Sequence, residues 1–250
     1  MTDAPSPLAP PAEFLHAAER LNIAFDPGDL DRLGQYLAML LDTNTRFNLT
    51  AVTDEVTAWT RHILDSLAIL PIIRSIDATT VLDVGSGGGL PGIPLAIVCP
   101  DLQVTLLEAT GKKVSFLQSV IDALALPNVR VVNDRAETAA HDRNTHRATY
   151  DVVTARAVGR LAVLLEITVP FAREQGYVVA IKGERAGEEV DEAKAALHLL
   201  HAQVTHTIRT ETSTIVVIEK TRKTPRTYPR RPGEPKRAPL GIGAKAKDGA

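Results

Sequence analysis

One cysteine, Cys99, stands in the whole chain, so no internal disulfide can form and a reducing compartment is the expectation. Long apolar runs are missing too: no stretch reaches the roughly 18 residues that a membrane-spanning helix needs. The opening MTDAPSPLAPPAEF has neither the basic start nor the apolar centre of a secretory signal. The expected location is therefore the cytoplasm, with no membrane partner. Strong net charge is also lacking, at −2, but that average hides an asymmetry. From Lys220 onward ten Lys/Arg face two acids, Glu234 and Asp248, so this segment carries +8 and the remainder −10. A basic segment on an acidic body suits a polyanion, although a merely solubilising tail has the same composition. Tyr228 is the only aromatic residue there, which argues against base stacking as the segment's main contribution.

What is present suits one domain with a real core and a small helical appendage: 250 residues, 44% of them hydrophobic. Residues 1–10 are rich in proline and alanine and read as disordered. Helical spacing follows at 13–21 and at 30–41, where Leu30, Leu33, Leu37, Leu40 and Leu41 share a face. Thr53 is a plausible N-cap for a third helix, with Val56, Trp59, Ile63, Leu67 and Leu70 as its stripe and Pro71 ending or bending it. His62 faces away from the apolar stripe, as a surface or interdomain hydrogen-bonding residue would.

From Thr79 the period changes. TTVLDVG, VTLLE, VRVVND, YDVVTA and YVVAIKG are short β-branched or apolar runs, separated by helical patterns at 92–98, 112–124, 160–173 and 188–201. Strands alternating with helices indicate an α/β fold with a parallel, doubly wound sheet. HAQVTHTIRT and TSTIVVIEK follow each other with no helix between, as an antiparallel pair finishing the sheet. The layout expected is a disordered start (1–10), a helical cap (11–77), an α/β domain (78–220) and an extended basic tail (221–250).

The first strand runs into Gly85-Ser86-Gly87-Gly88-Gly89-Leu90-Pro91-Gly92, a turn whose bare backbone lets a ligand approach closely. A P-loop is excluded, because Ile93 and Pro94 stand where Lys and Ser/Thr are required. A dinucleotide fingerprint fits Gly85 and Gly87 but meets Leu90 at its third glycine. Asp83, two residues before the loop, would also repel a pyrophosphate. The spacing D-x-G-x-G-x-G from Asp83 to Gly89 resembles the first motif of S-adenosylmethionine-dependent methyltransferases, whose cofactor carries an ammonium and a sulfonium but no phosphate. Glu108 closes the second strand, where a carboxylate can accept from both ribose hydroxyls. NAD enzymes place an acid similarly, so Glu108 alone does not discriminate. Lys182, at a strand end, either touches a nucleic-acid backbone or serves the structure.

The methyl acceptor is narrowed by what the later strands lack. Exocyclic-amine methylation of adenine uses a [DNS]-P-P-aromatic element after strand four, where this chain has Thr154-Ala155-Arg156-Ala157. Methylation of cytosine C5 needs a cysteine nucleophile, and Cys99 is far from that strand end in sequence. Guanine N7 carries no proton, so its methylation needs no general base, only two reactants held in line. A non-catalytic binder would show the same absence.

Six segments in order, RFNLTAVT (46–53), RHILDSL (61–67), DVGSGGGLPGIPLAI (83–97), TARAV (154–158), AIKG (180–183) and YPRRPGEPKRAPL (228–240), resemble the bacterial 16S ribosomal RNA guanine-N7 methyltransferase family, also called the glucose-inhibited division protein B family. The resemblance covers roughly residues 30–240. It implies a Rossmann-like methyltransferase fold: a mostly parallel seven-stranded sheet with an antiparallel end strand and an N-terminal helical cap. It implies S-adenosyl-L-methionine as cofactor and 16S ribosomal RNA or the 30S subunit as partner, with the target guanine in the decoding-region loop and the chain a monomer. It places cofactor contacts on Gly85, Leu90, Ala136 with Glu137, and Arg156, with Glu108 where the family often has Asp or Glu. Many relatives have Ala or Pro at Gly88 and Phe at Leu90, and GIGAKAKDGA extends past the resemblance. A small-molecule methyltransferase and a non-catalytic ribosome assembly factor remain the alternatives at this stage.

Overall fold

The computed structural model describes residues 5–241, and its seven strands form a sheet in the order β3-β2-β1-β4-β5-β7-β6. Contacts divide the chain into two units. The first runs to Asp134 and takes in the turn Thr210–Ser213; the second holds the rest. The helices before residue 78 belong to the same unit as the first strands because they pack on the elements around the glycine loop.

In the first unit α1 (Ala12–Arg20) and α2 (Asp29–Asn44) bury Phe14, Leu33, Tyr36, Leu37 and Leu40, the face that helical spacing sets inward. Residues 5–10 are ordered by α2: the Leu8 N–H donates to the Gly34 carbonyl at 3.2 Å, and a Cβ at Gly34 would sit 2.2 Å from the Leu8 oxygen. Residues 1–4 lie outside the described part. The cap of α3 (Glu55–Ala58) is Asp54, whose carboxylate accepts the Thr57 N–H at 2.8 Å, one residue later than Thr53. A π-helical segment, Trp59–Leu64, leads into α4 (Asp65–Leu67), and Trp59 packs on Phe14 with ring centroids 4.7 Å apart. Pro71 opens α5 (Leu70–Ser75), in the first turn, where its missing N–H costs least. Then come β1 (Thr80–Val84), α6 (Gly92–Val98), β2 (Gln103–Glu108), α7 (Gly111–Leu124) and β3 (Val129–Asn133), the strands parallel in register Thr80↔Gln103 and Val104↔Val129. α2 packs against both α6 and α7.

The second unit holds α8 (Ala136–Ala139), β4 (Tyr150–Arg156), α9 (Leu161–Thr168), β5 (Ala172–Lys182), α10 (Ala186–Glu192), α11 (Lys194–Leu200), β6 (Ala202–Arg209), β7 (Thr214–Lys220) and α12 (Glu234–Arg237). β4 and β5 are parallel; β7 runs antiparallel to both β5 and β6, so the last hairpin finishes the sheet. The helix expected over 160–173 stops at Thr168. Pro170 brings no N–H to its end, and Ala172 already pairs with Tyr150. The pattern over 188–201 is two helices that meet at Ala193.

The basic segment is a folded strap through Gly241, not an extended arm. Lys220 is 1% exposed, its ammonium donating to the carbonyls of Ala172 at 2.6 Å and Pro170 at 3.5 Å, and burial lowers its pKa to about 8. Arg147 donates to the carbonyls of Ala140 and Tyr228, both at 2.9 Å, and of Thr224 and Pro225, both at 3.1 Å. Four oriented carbonyls on one guanidinium fix the path of this segment. The part of GIGAKAKDGA beyond Gly241 lies outside the described residues.

Candidate active site

The candidate site in the first unit is built on the glycine loop. Gly85 and Gly87 have φ of 70° and 57°, left-handed values that a Cβ disfavours. Gly85 is exposed at the turn, its N–H donating to the Leu107 carbonyl at 2.8 Å. Below it Asp83 is fully buried and accepts the Gly92 N–H at 3.1 Å. The sequence alone left open whether this carboxylate faces a cationic ligand; the structure sets it under the loop as a brace. A Cβ at Gly92 would lie 2.3 Å from Leu106 Cδ2 and 3.0 Å from Asp83 Oδ2, so the brace needs glycine there.

The loop is held from two further sides. The Glu108 carboxylate, 7% exposed, accepts the Gly87 N–H at 3.0 Å through Oε2 and the Thr110 N–H at 2.8 Å through Oε1. An ionised carboxylate offers about four lone-pair positions, so Glu108 keeps capacity for ribose hydroxyls. From the cap, the Tyr36 hydroxyl donates to the Gly88 carbonyl at 2.7 Å, and a Cβ at Gly88 would meet Leu40 at 2.8 Å. Leu90, half-buried, leaves an apolar side chain at the end of the loop. Gly85, Leu90 and Glu108 are thus brought to one turn. Tyr36 went unnoticed in sequence, where it is one aromatic in an apolar helix with nothing to mark its hydroxyl.

Ala136, Glu137 and Arg156 lie in the second unit. Ala136 and Glu137, both half-buried, start α8, and half-buried Arg156 ends β4. The Glu137 carboxylate accepts the N–H of Gly233 in the strap at 3.0 Å, so this side chain serves the tail's path. Lys182 is not a free backbone contact. Its ammonium pairs with Glu189 at 2.7 Å and donates to the Gly159 carbonyl at 2.5 Å. Glu189 Oε2 also accepts the Leu161 N–H at 2.7 Å. Together they tie down the loop 157–160 that follows Arg156.

Replacing Lys182 by methionine should therefore loosen that loop. The expected result is a melting temperature lowered by several degrees, because the mostly buried Glu189 is left without its cation and the Gly159 carbonyl without its donor, and a KM for the acceptor raised about tenfold as the loop loosens. Steady-state kinetics with a thermal melt checks it.

His62 is buried, not at the surface, with Nε2 2.7 Å from Thr50 Oγ1. Burial raises the pKa of the Cys99 thiol, the reverse of what a nucleophile needs. Among the described residues no cluster of His, Cys, Asp or Glu could hold a metal ion, and no helix is long and apolar enough to cross a membrane.

Comparison with known proteins agrees with this architecture. The O-methyltransferase of Bacillus cereus in complex with SAH is 19% identical with a TM-score of 0.57, over 84% of this chain and 97% of that one. A SAM-dependent methyltransferase from Aquifex aeolicus gives 18% and 0.51, over 65% and 93%. At such identities the likeness is one of fold. Sequence relatives are much nearer. The ribosomal RNA small subunit methyltransferase G of Sorangium cellulosum is 46% identical over 226 residues, 90% of this chain and 94% of its own. The namesake from Lactiplantibacillus plantarum is 37% identical over 92% of this chain and 98% of its own. The family model GidB, rRNA small subunit methyltransferase G, matches residues 29–216, and the chain belongs to that family.

Proposed function

We propose that this chain transfers a methyl group from S-adenosylmethionine to N7 of a guanine in the decoding-region loop of 16S ribosomal RNA, acting as a monomer in the cytoplasm. The observation that carries the reading is the Glu108 carboxylate hydrogen-bonded to the glycine loop at Gly87 in a member of this family. That contact sets a ribose acceptor beside the bare backbone of the loop, and Leu90 in place of the third glycine departs from the dinucleotide fingerprint. The residues present fit that cofactor: Gly85 offers exposed backbone, Leu90 an apolar contact, and Glu108 acceptors for the ribose diol. Ala136, Glu137 and Arg156 complete the set that the resemblance assigns.

Bound there, S-adenosylmethionine supplies an electrophilic methyl group on a sulfonium. The N7 lone pair of guanine needs no base to receive it, so the chain's contribution is to hold, align and keep water away. The thiol of Cys99, half-buried with a raised pKa, takes no covalent part. Incubation with labelled S-adenosylmethionine and small-subunit RNA or 30S particles lacking the modification should place label in 7-methylguanine. Label confined to another position, or none from a preparation that binds the cofactor, overturns the reading.

A further inference from the structure

Two clefts open on the second unit, and their charges differ. One, of about 430 Å³, includes Glu137 and Glu234 in its lining beside His141 and Arg231. The other, of about 510 Å³, lies between the loop after β4 and the strap; Val158, Val163 and Pro239 give it an apolar floor, and Arg160 and Lys236 its cations. None of the residues lining this second cleft is acidic.

Both walls of the second cleft are built. On one side Lys182 grips the Gly159 carbonyl and Glu189 caps Leu161. On the other, the Arg230 guanidinium, ion-paired to the buried Glu166, also donates to the Ala238 carbonyl at 2.7 Å, next to Pro239. The cations remain available. Lys236 is exposed and has no ion pair among the described residues, and Arg160 has one acid at the limit of contact, Glu192 at 4.0 Å. The volume lies within the range of small-ligand clefts, roughly 300–1,000 Å³.

We propose that this second cleft takes one nucleotide of the RNA substrate, its base on the Val158–Val163–Pro239 floor and its phosphate between Arg160 and Lys236. The inference rests on the RNA reading above and names the surface that reading lacks. An apolar floor suits the face of any base, and two cations unopposed by lining acids suit a phosphate. The first cleft sets Glu137 and Glu234 against Arg230 and Arg231, so its lining offers a phosphate less net positive charge than the second. A rigid strap also binds without the ordering cost that a disordered arm pays.

The test uses the full chain and a fluorescein-labelled RNA hairpin copied from the 16S decoding region, titrated by anisotropy over a salt series. Arg160→Ser with Lys236→Ser should weaken binding about tenfold at moderate salt and reduce the slope of log K against log salt by about 0.7–0.9, since one neutralised phosphate goes. Pro239→Trp, which fills the floor, should raise KM for RNA about fivefold at unchanged kcat. Calorimetric affinity for S-adenosylmethionine should be unchanged in both. Wild-type RNA affinity and salt slope in the double variant would overturn the cleft, as would an equal loss of cofactor affinity. If the wild type binds the hairpin through these residues yet leaves no label in 7-methylguanine, the proposed reaction fails while the cleft stands. Normal methylation beside unaltered variants fails the cleft alone.

Discussion

Replacing Arg230 by alanine is expected to free the C-terminal strap and destabilise the second unit by about 3–5 kcal/mol, because it leaves a buried carboxylate without its partner. Glu166 is 0% exposed in α9. It accepts from the Arg230 backbone N–H at 2.8 Å, from Nε at 2.9 Å and from Nη2 at 2.6 Å. The guanidinium thus meets both carboxylate oxygens, the geometry that fixes orientation as well as charge. The same pairing raises the pKa of Arg230. For a chain of this size the loss corresponds to a fall of roughly 10 °C in melting temperature. Amide exchange over residues 226–241 should accelerate first, since the side chains that still hold that part include Arg147, His141 and Glu137 but no buried ion pair. The double variant Glu166→Leu with Arg230→Leu should recover much of the loss, because it removes the buried charge along with its partner. A melt indistinguishable from wild type in the single variant would show that water reaches Glu166.

This pair also shows what the sequence concealed. Glu166 stands alone among apolar residues in LAVLLEIT, and a lone acid on a buried helix demands a cation. That was the available signal. Its partner lies 64 positions away, and nothing local chooses Arg230 over the other basic residues of the tail. Counting charges from Lys220 onward treated all as alike, yet Lys220 is inside, Arg230 is paired, and Arg231, Lys236 and Arg237 are exposed. Proline, glycine and charge suggested an extended segment; the carbonyls gathered by Arg147 explain why it folds back instead.

The glycine loop and its acids were legible because their spacing is local. A strand must end where the glycines begin, and the next parallel strand must end beside it, which brings Glu108 to the loop. The same argument placed β1 to β5. It failed over 160–173, where apolar content suits helix and strand alike and Pro170 decided between them. The sequence left Lys182 open between a nucleic-acid contact and a structural role because its partners, the Gly159 carbonyl and Glu189, belong to other segments.

Glu108→Ala should lower affinity for S-adenosylmethionine about 100-fold while the fold persists. Two backbone donors, Gly87 and Thr110, lose their acceptor, and because Gly87 is half-buried and Thr110 exposed, water replaces it in the free protein. The ribose hydroxyls of the bound cofactor lose a charged acceptor, worth roughly 1.5–3 kcal/mol per hydrogen bond, and about 3 kcal/mol corresponds to the stated factor. Glutamine is no rescue: its NH2 would have to face either the Gly87 or the Thr110 N–H, donor against donor. Aspartate keeps the charge but withdraws it by one methylene, so it should fall between. Calorimetry should therefore rank wild type above Asp, and Asp above Gln and Ala, with NAD binding to none. Wild-type affinity in Glu108→Ala would mean that the cofactor's ribose lies elsewhere, and with it the reading of the loop as a nucleoside cradle would go. Tight binding of NAD to the wild type would return the loop to the dinucleotide class, against the evidence of Leu90 in place of its third glycine.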